Sequence, residues 1–188
     1  MSTATAQGMS IEEFLQLPED GVERELIQGK VEECGVTVRN RQHSRCLIEL
    51  GSILNSWARR SDNATVVGGE VGFALSRDPN TVVGVDIAVV SRELLHAQGD
   101  DSTLIHGSPI VAVEILSPSD TQARIRNKTK RYLDHGVSSV WLVDPDERTV
   151  RIHRADRPPV LFNEALTIHD QPELPGFTAD IQQIFAEE

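Results

Sequence analysis

Two acidic residues stand inside apolar segments of the kind that form buried strands. Asp86 lies within residues 82–90 and Glu114 within residues 110–116, and each segment is apolar on both strand faces. Such a run is typical of a strand that is covered on both sides of its sheet. A carboxylate in that setting needs a salt bridge, a proton or a bound cation, because an unpaired buried charge is strongly destabilising.

The two acids could also act together. The segment between Asp86 and Glu114 is long enough for the chain to leave one strand and return on its neighbour. Hard divalent cations such as Mg²⁺ take oxygen ligands, so the pair predicts a shared metal site. The alternative is that each acid marks a strand end and bonds to nearby backbone amides.

Lys128 is the third candidate for chemistry. It lies in a helix predicted over residues 120–135, on the border of an inward face that comprises Ile125, Thr129, Tyr132 and Leu133. A lysine there can lay its stem along apolar surface and aim its ammonium at the end of the sheet. Beside a metal, it could orient the attacking water or stabilise charge on a phosphoryl group. Taken alone, a helix lysine is more often solvated.

Three further residues are possible auxiliary groups. His43 lies on the inward face of a helix predicted over residues 41–60, where it could contact substrate, order the site, or only hydrogen bond at the helix end. Glu25 precedes an apolar pair and Glu70 follows a glycine, and structural pairing is the alternative for both acids. The sequence has no P-loop, no Ser-His-Asp or Cys-His signal and no zinc spacing at Cys34 and Cys46.

The charge of the chain is unevenly distributed. A net charge of −11 argues against tight non-specific binding of nucleic acid, which depends on cations that replace phosphate counterions. One acid-free segment nevertheless holds, besides Lys128, four basic residues: Arg124, Arg126, Lys130 and Arg131. This segment could bind a polyanion locally, or it could be an ordinary solvated helix face.

The elements that must position these residues follow from the apolar periodicity. A capping box at Ser10–Glu13 predicts a short helix. Residues 23–38 are predicted to form two strands around Gly29. Residues 66–75 and 82–90 are predicted to form a pair of strands. Ser117, Ser119 or Asp120 could cap the helix that carries Lys128, and Gly136 ends it. Trp57, Trp141 and Tyr132 are predicted core residues. The order predicts an α/β (α+β) fold with helices on a mixed central sheet.

Length and composition limit the architecture. The 188 residues, 39% of them hydrophobic, fit a single domain over residues 10–188. Residues 1–9 read as a disordered leader without the features of a secretory signal. No apolar stretch reaches the roughly 20 residues that span a membrane, so a cytoplasmic protein is the default expectation.

The motifs stand in an order that resembles a known family. The matching residues are Glu25-Leu26-Ile27-Gln28-Gly29, His43, Val85-Asp86, Glu114-Ile115-Leu116-Ser117-Pro118-Ser119, Lys128, Tyr132, Gly136-Val137, Trp141-Leu142-Val143-Asp144-Pro145 and Leu174-Pro175-Gly176-Phe177. Together they resemble the Uma-two group of restriction endonucleases, within the PD-(D/E)XK nuclease superfamily. The resemblance runs from about Ser10 to Phe185.

The resemblance implies a restriction-endonuclease-like core and metal-dependent hydrolysis of phosphodiester bonds in DNA. Asp86 and Glu114 would hold Mg²⁺, for which Mn²⁺ could substitute, and Lys128 would replace the lysine that the parent motif has at the position of Leu116. A homodimer would suit cleavage of both strands of a duplex. The competing hypothesis is a catalytically inactive nuclease-fold module that binds nucleic acid or protein.

Overall fold

The structure is a computed structural model that describes residues 8–36, 39–99, 102–169 and 171–186. Its helices are α1 (Ile11–Phe14), α2 (Arg41–Ala58), α3 (Arg92–His96), α4 (Gln122–Asp134) and α5 (Ile181–Ile184). Its strands are β1 (Val22–Ile27), β2 (Lys30–Val36), β3 (Ala64–Arg77), β4 (Asn80–Ser91), β5 (Ile105–His106), β6 (Val111–Ile115), β7 (Ser139–Asp144), β8 (Thr149–His153), β9 (Val160–Asn163), β10 (Thr167–Ile168) and β11 (Ala179–Asp180).

A mixed sheet forms the centre of the molecule. Its main path runs β2-β1-β4-β6-β7-β8-β9, with β3 hydrogen bonded to β4 and β5 to β3, while β10 and β11 form a separate pair. The β6–β7 pair is parallel, and α4 makes the crossover between these two strands. A parallel pair needs such a connection, whereas the predicted β3–β4 pair is antiparallel and closes through a short turn.

The long strand β4 changes its partner halfway along one edge. Its first part pairs with β1 at Leu26 and Val82, and its last part pairs with β6 over Ile87 to Val89. Asp86 lies between these two contacts. On the opposite edge, β3 carries a bulge between Gly68 and Val71, beside the same part of β4. The sheet is therefore forked next to Asp86, and a fork leaves space that a continuous ladder would fill.

Helices cover the sheet on both faces. The apolar side of α2, including Leu50 and Leu54, packs on Ile87 of β4. On the other face, Tyr132 of α4 packs in a cluster with Val85 and Val140. Both β4 and β6 are thus enclosed, as their apolar runs predicted. Within the described ranges, no helix is both long enough and apolar enough to cross a bilayer.

The ends of the helices follow the predicted chemistry with one exception. The capping box at Ser10 and Glu13 is present, and Gly136 adopts φ 86° after α4. The cap of α4 is Thr121, whose hydroxyl accepts from the amide of Arg124. The predicted Ser and Asp caps were therefore wrong. Asp120 instead closes a turn by accepting from the Ser117 amide at 2.8 Å.

Two residues of the predicted leader, residues 8 and 9, lie within the described part of the chain. The Met9 amide donates to the Gly29 carbonyl at 2.8 Å, and the Asn80 side chain donates to the Met9 carbonyl at 3.1 Å. The backbone of Met9 is therefore bound to the β1–β2 turn and to the start of β4. Residues 1–7 lie outside the described residues, as do residues 37 and 38, on which the predicted end of the second strand falls.

An aromatic cluster fixes α2 against the sheet and yields a test of the fold. The Phe177 ring meets Trp57 of α2 and Trp141 of β7 edge to face, at centroid distances of 6.2 and 5.6 Å. Phe177→Ala should lower the free energy of unfolding by about 3–5 kcal/mol, because it opens a cavity in a packed core. Urea denaturation measures the loss. Ile48→Ala, at a side chain exposed by 65%, is the control and should cost under about 0.5 kcal/mol.

Candidate functional site

Four residues that the sequence predicted for chemistry meet in one cavity at the fork of the sheet. The cavity has a volume of about 220 Å³ and is lined by Asp86 of β4, Glu114 of β6, Lys128 of α4 and His43 of α2. The loop after β6 and the end of β2 complete its wall. Four elements that are distant in sequence therefore deliver two acids, an imidazole and an ammonium to one place.

Asp86 is held firmly on one side only. Its Oδ2 accepts the backbone amide of Ile115 at 2.7 Å, which ties β4 to the residue that follows Glu114. Its Oδ1 is buried and has no well-aligned hydrogen bond to any described residue, although His43 Nε2 lies 3.2 Å away. Burial alone would raise the pKa of Asp86, but contact with His43 and the Ile115 amide brings it below its usual value.

Glu114 has a partner at each carboxyl oxygen. Lys128 Nζ donates to Oε2 at 2.8 Å, and the Tyr132 hydroxyl lies 2.5 Å from Oε1 and 3.0 Å from the Gly84 carbonyl. Burial raises the pKa of Glu114 to about 8; Lys128 opposes this rise and the negative charge of Asp86 adds to it. The hydroxyl can donate to the ionised acid, or accept from the protonated acid while donating to Gly84.

Lys128 connects Glu114 to a second acid. Its Nζ lies 3.4 Å from Oε1 of Glu25, and Oε2 of Glu25 accepts from Arg131 at 2.9 Å. Glu25 is 3% exposed, so the predicted alternative of structural pairing holds for this residue. Burial alone would lower the pKa of Lys128, but the charge of Glu114 outweighs that effect and raises it well above its usual value.

Glu70 lies in the bulge of β3, on the other side of Asp86. Its backbone has φ 61°, and its carboxylate pairs with Arg39, which also contacts Glu23 at 2.7 Å. Burial raises the pKa of Glu70 to about 7, and the negative charges of Asp86 and Glu23 add to the rise. Glu70 therefore belongs to the electrostatic surroundings of the cavity, beside Asp86.

Two residues that contact the site, Tyr132 and Arg39, were not predicted as site residues from the sequence. Tyr132 was predicted to be core, and it is fully buried, but its hydroxyl contacts Glu114. A buried tyrosine needs a hydrogen-bond partner, and this one lies one helical turn after Lys128, which was the available signal. Arg39 lines the cavity and pairs with two acids, yet it follows β2 in a connecting segment where no periodic pattern marks it.

The four basic residues of α4 do not form one surface. The Arg124 side chain lines the cavity and donates to the Cys34 carbonyl, whereas Lys130 is exposed and pairs with Asp134 at 2.5 Å. Arg131 pairs with the buried Glu25 at 2.9 Å, so this predicted nucleic-acid contact already has an acidic partner. Arg126 is exposed.

The cavity is chemically suited to a hard cation. Asp86 presents a buried carboxylate oxygen without a hydrogen bond, and Glu114 is an acid whose ionised form is destabilised by burial. A divalent cation would relieve both, and Mg²⁺ accepts one or two carboxylates because it keeps several waters. No group of three or more His, Cys, Asp or Glu side chains in the described ranges is arranged to hold a metal. The protein ligands would thus be two.

The comparison with protein families agrees with this geometry. Residues 11–182 match the family model described as "Uma2: Putative restriction endonuclease", and this match includes every residue of the cavity. The chain belongs to the Uma2 family. The resemblance to the Uma-two group that the ordered motifs predicted is thereby confirmed. A search of curated proteins gave no match to the chain.

A solved structure confirms the fold class predicted for this Uma2 protein. The structure is described as a putative nuclease belonging to DUF820 from Anabaena variabilis ATCC 29413. It has a TM-score of 0.79 and 24% sequence identity, and the alignment covers 94% of this chain and 97% of the other. The mixed sheet with flanking helices is therefore shared almost end to end.

The raised pKa of Glu70 gives a test of the site's electrostatics. In the fold this acid keeps its proton up to about pH 7, whereas in the unfolded chain it ionises near pH 4.5. Its contribution to stability is therefore present at low pH and lost as pH rises from 4.5 through 7. Glu70→Gln should raise the melting temperature, relative to wild type, by about 2–4 °C more at high pH than at low pH.

Differential scanning calorimetry of the metal-free proteins at about pH 5 and about pH 8 measures this difference. Glu19→Gln, at an exposed acid away from the cavity, is the matched control and should give equal differences at the two pH values. A Glu70→Gln difference that is the same at both pH values would contradict a raised pKa of Glu70 in the folded protein.

Proposed function

We propose that this Uma2 protein is a Mg²⁺-dependent endodeoxyribonuclease that hydrolyses phosphodiester bonds, with Mn²⁺ able to substitute. The observation that carries the proposal is the convergence of Asp86, Glu114 and Lys128 in one cavity. These are the residue types that phosphodiester hydrolysis needs: oxygen ligands for a hard cation and a fixed positive charge beside them.

Asp86 and Glu114 would hold the cation through the oxygens that face the cavity. When bound, the metal supplies a Lewis acid that polarises the phosphate and lowers the pKa of water. The protein prepares the ligands in advance. The Ile115 amide fixes Asp86, and Tyr132 fixes Glu114, so little reorganisation accompanies binding.

Lys128 would act on the reacting phosphate and the attacking water. Its ammonium remains charged in the cavity, because Glu114 and Glu25 stabilise that form. A fixed cation there stabilises the negative charge that develops as the phosphorus is attacked. Its stem is enclosed by α4 and the sheet, and the side chain is only 15% exposed, so the charge has a defined position.

Basic residues near the cavity suggest how DNA would approach. Arg124 lies in the cavity wall, and Arg126 and Lys130 are exposed on α4. In the loop after β6 the Ser117 hydroxyl donates to Asp120 at 2.9 Å, and the Ser119 hydroxyl lies 2.9 Å from it, from where Ser119 could turn to donate to a phosphate oxygen. Because the net charge is −11, this binding would be local and sensitive to salt. A homodimer would place two such sites on one duplex.

The competing function is a module that keeps the nuclease fold for binding alone. The acidic net charge favours it, as does the engagement of both Glu114 oxygens by Lys128 and Tyr132. The buried Asp86 Oδ1 favours the enzyme, since it has no well-aligned hydrogen bond and leaves a carboxylate oxygen open to a cation in the cavity.

Replacement of the two acids separates enzyme from module. Asp86→Asn and Glu114→Gln should each reduce Mg²⁺-dependent cleavage of plasmid DNA by at least about 10³-fold, because each removes a charged ligand. Gel electrophoresis of time courses measures the rate. Glu93→Gln, at an exposed acid of α3, is the control and should cleave like wild type. Absence of cleavage by wild type on any DNA or RNA with Mg²⁺ or Mn²⁺ would support the module instead.

The two lysines of α4 test the catalytic role of Lys128. Lys128→Met should lower kcat by about 10²-fold or more while Mg²⁺ affinity stays equal or rises, because a cation next to the metal is removed. Lys130→Met should mainly raise KM, more strongly at low salt. Two residues along a helix differ by about 200°, so only Lys128 faces the cavity. Equal losses of kcat in Lys128→Met and Lys130→Met would contradict a catalytic role for Lys128 and leave it as one charge of a basic surface.

A further inference from the structure

Glu25 is a buried acid for which the proposed chemistry has no use as a ligand. It lies on β1, and its Oε2 is fixed by Arg131 at 2.9 Å. Its Oε1 is buried and accepts no hydrogen bond from any described residue, although Lys128 Nζ is only 3.4 Å away. A carboxylate oxygen left in this state is costly, so its retention beside Lys128 needs an explanation.

We propose that Glu25 is a positioning residue that receives the Lys128 ammonium when a divalent cation binds Glu114. The inference rests on the proposed function and concerns how the site would take up a cation. In this structure Lys128 donates to Oε2 of Glu114 at 2.8 Å, an oxygen that a cation at Glu114 would need. Glu25 offers the ammonium a second carboxylate, so the lysine can leave Glu114 without losing an ion pair.

The transfer of the Lys128 ammonium from Glu114 to Glu25 requires only a small movement. A charge-assisted N–H···O bond is about 2.7–2.9 Å long, so Nζ has to approach Oε1 of Glu25 by only about 0.5 Å. Glu25, Lys128 and Arg131 also line an adjoining cavity of about 310 Å³, which gives the ammonium room on the side away from Glu114. The four-carbon stem can make such a shift by small rotations, without movement of α4.

Arg131 keeps the receiving oxygen in place throughout. It follows Lys128 by three positions on α4, so both cations project from the same side of the helix towards β1. Arg131 also places a positive charge beside Glu25, which weakens the net field of Glu25 at a more distant metal on Glu114, whereas Lys128 Nζ lies next to Oε1 itself. The effect of Glu25 on metal binding should therefore pass through Lys128 and not through direct attraction.

A double-mutant cycle on metal affinity tests whether Glu25 affects metal binding through Lys128. Isothermal titration calorimetry with Mn²⁺ alone measures affinity without nucleic acid or turnover. Glu25→Gln should weaken Mn²⁺ binding by about tenfold, because Lys128 then stays on Glu114. Against a Lys128→Met background, the same Glu25→Gln change should alter affinity by less than about twofold.

Two further variants separate position from charge. Glu25→Asp keeps the charge but withdraws the receiving oxygen by about one bond length, so it should weaken Mn²⁺ binding as Glu25→Gln does. It also serves if Glu25→Gln does not fold, which circular dichroism would reveal. Glu32→Gln is the matched control: this acid is exposed, lies 3.6 Å from Arg131 and does not contact Lys128, so affinity should stay within about twofold of wild type.

The outcomes separate this inference from the proposed function. Equal effects of Glu25→Gln in both backgrounds, or wild-type affinity of Glu25→Asp, would overturn the role of Glu25 while leaving a metal site at Asp86 intact. Failure of wild type to bind Mn²⁺, or binding that survives Asp86→Asn unchanged, would overturn the proposed function and this inference with it.

Discussion

The buried ion pair between Glu114 and Lys128 is the interaction on which the arrangement of the site depends. It joins a central strand to the crossover helix that covers it, with Nζ and Oε2 2.8 Å apart. Removal of either partner would leave a charge without a counter-ion in a largely buried environment. That loss destabilises the fold by far more than the intact pair stabilises it. The pair therefore fixes where α4 lies over β6, and with it the position of Tyr132 against Glu114.

The other charges of the cavity are arranged around this pair. Glu25 and Arg131 extend it towards β1, while Asp86 and Glu70 lie on the side towards β3. Burial raises the pKa values of Glu114 to about 8 and of Glu70 to about 7, and the negative charge of Asp86 adds to both rises. Selection for stability alone would favour the loss of such buried acids, whereas a protein that binds a cation can use their negative charge.

Much of the fold and the core of the site could be predicted from the sequence. The apolar runs around Asp86 and Glu114 identified two buried strands, and helical spacing placed Lys128 at the edge of an inward face. Local chemistry was sufficient there, since capping boxes, turn glycines and periodicity depend on neighbouring residues. The convergence of Asp86, Glu114 and Lys128 could be expected only on the assumption that the two predicted strands are neighbours in the sheet.

The remaining features depend on contacts between distant segments. The fork in β4 arises because β1 and β6 share one strand edge, and no local pattern in β4 announces it. The pairing of Arg131 with Glu25 joins residues far apart in sequence, so a helix that looked basic proved partly neutralised. Arg39 was missed for the same reason. Long-range ion pairs have no periodicity, and only the folded arrangement reveals them.

The central claim is that Asp86 and Glu114 form one cation site. A crystal structure of the protein soaked in Mn²⁺, with anomalous diffraction to locate the ion, tests it most directly. The account predicts an anomalous peak bridging the two carboxylates, at about 2.0–2.3 Å from their oxygens. A well-ordered site with Lys128 still bonded to Glu114 and no peak between the acids, at saturating Mn²⁺, would contradict it.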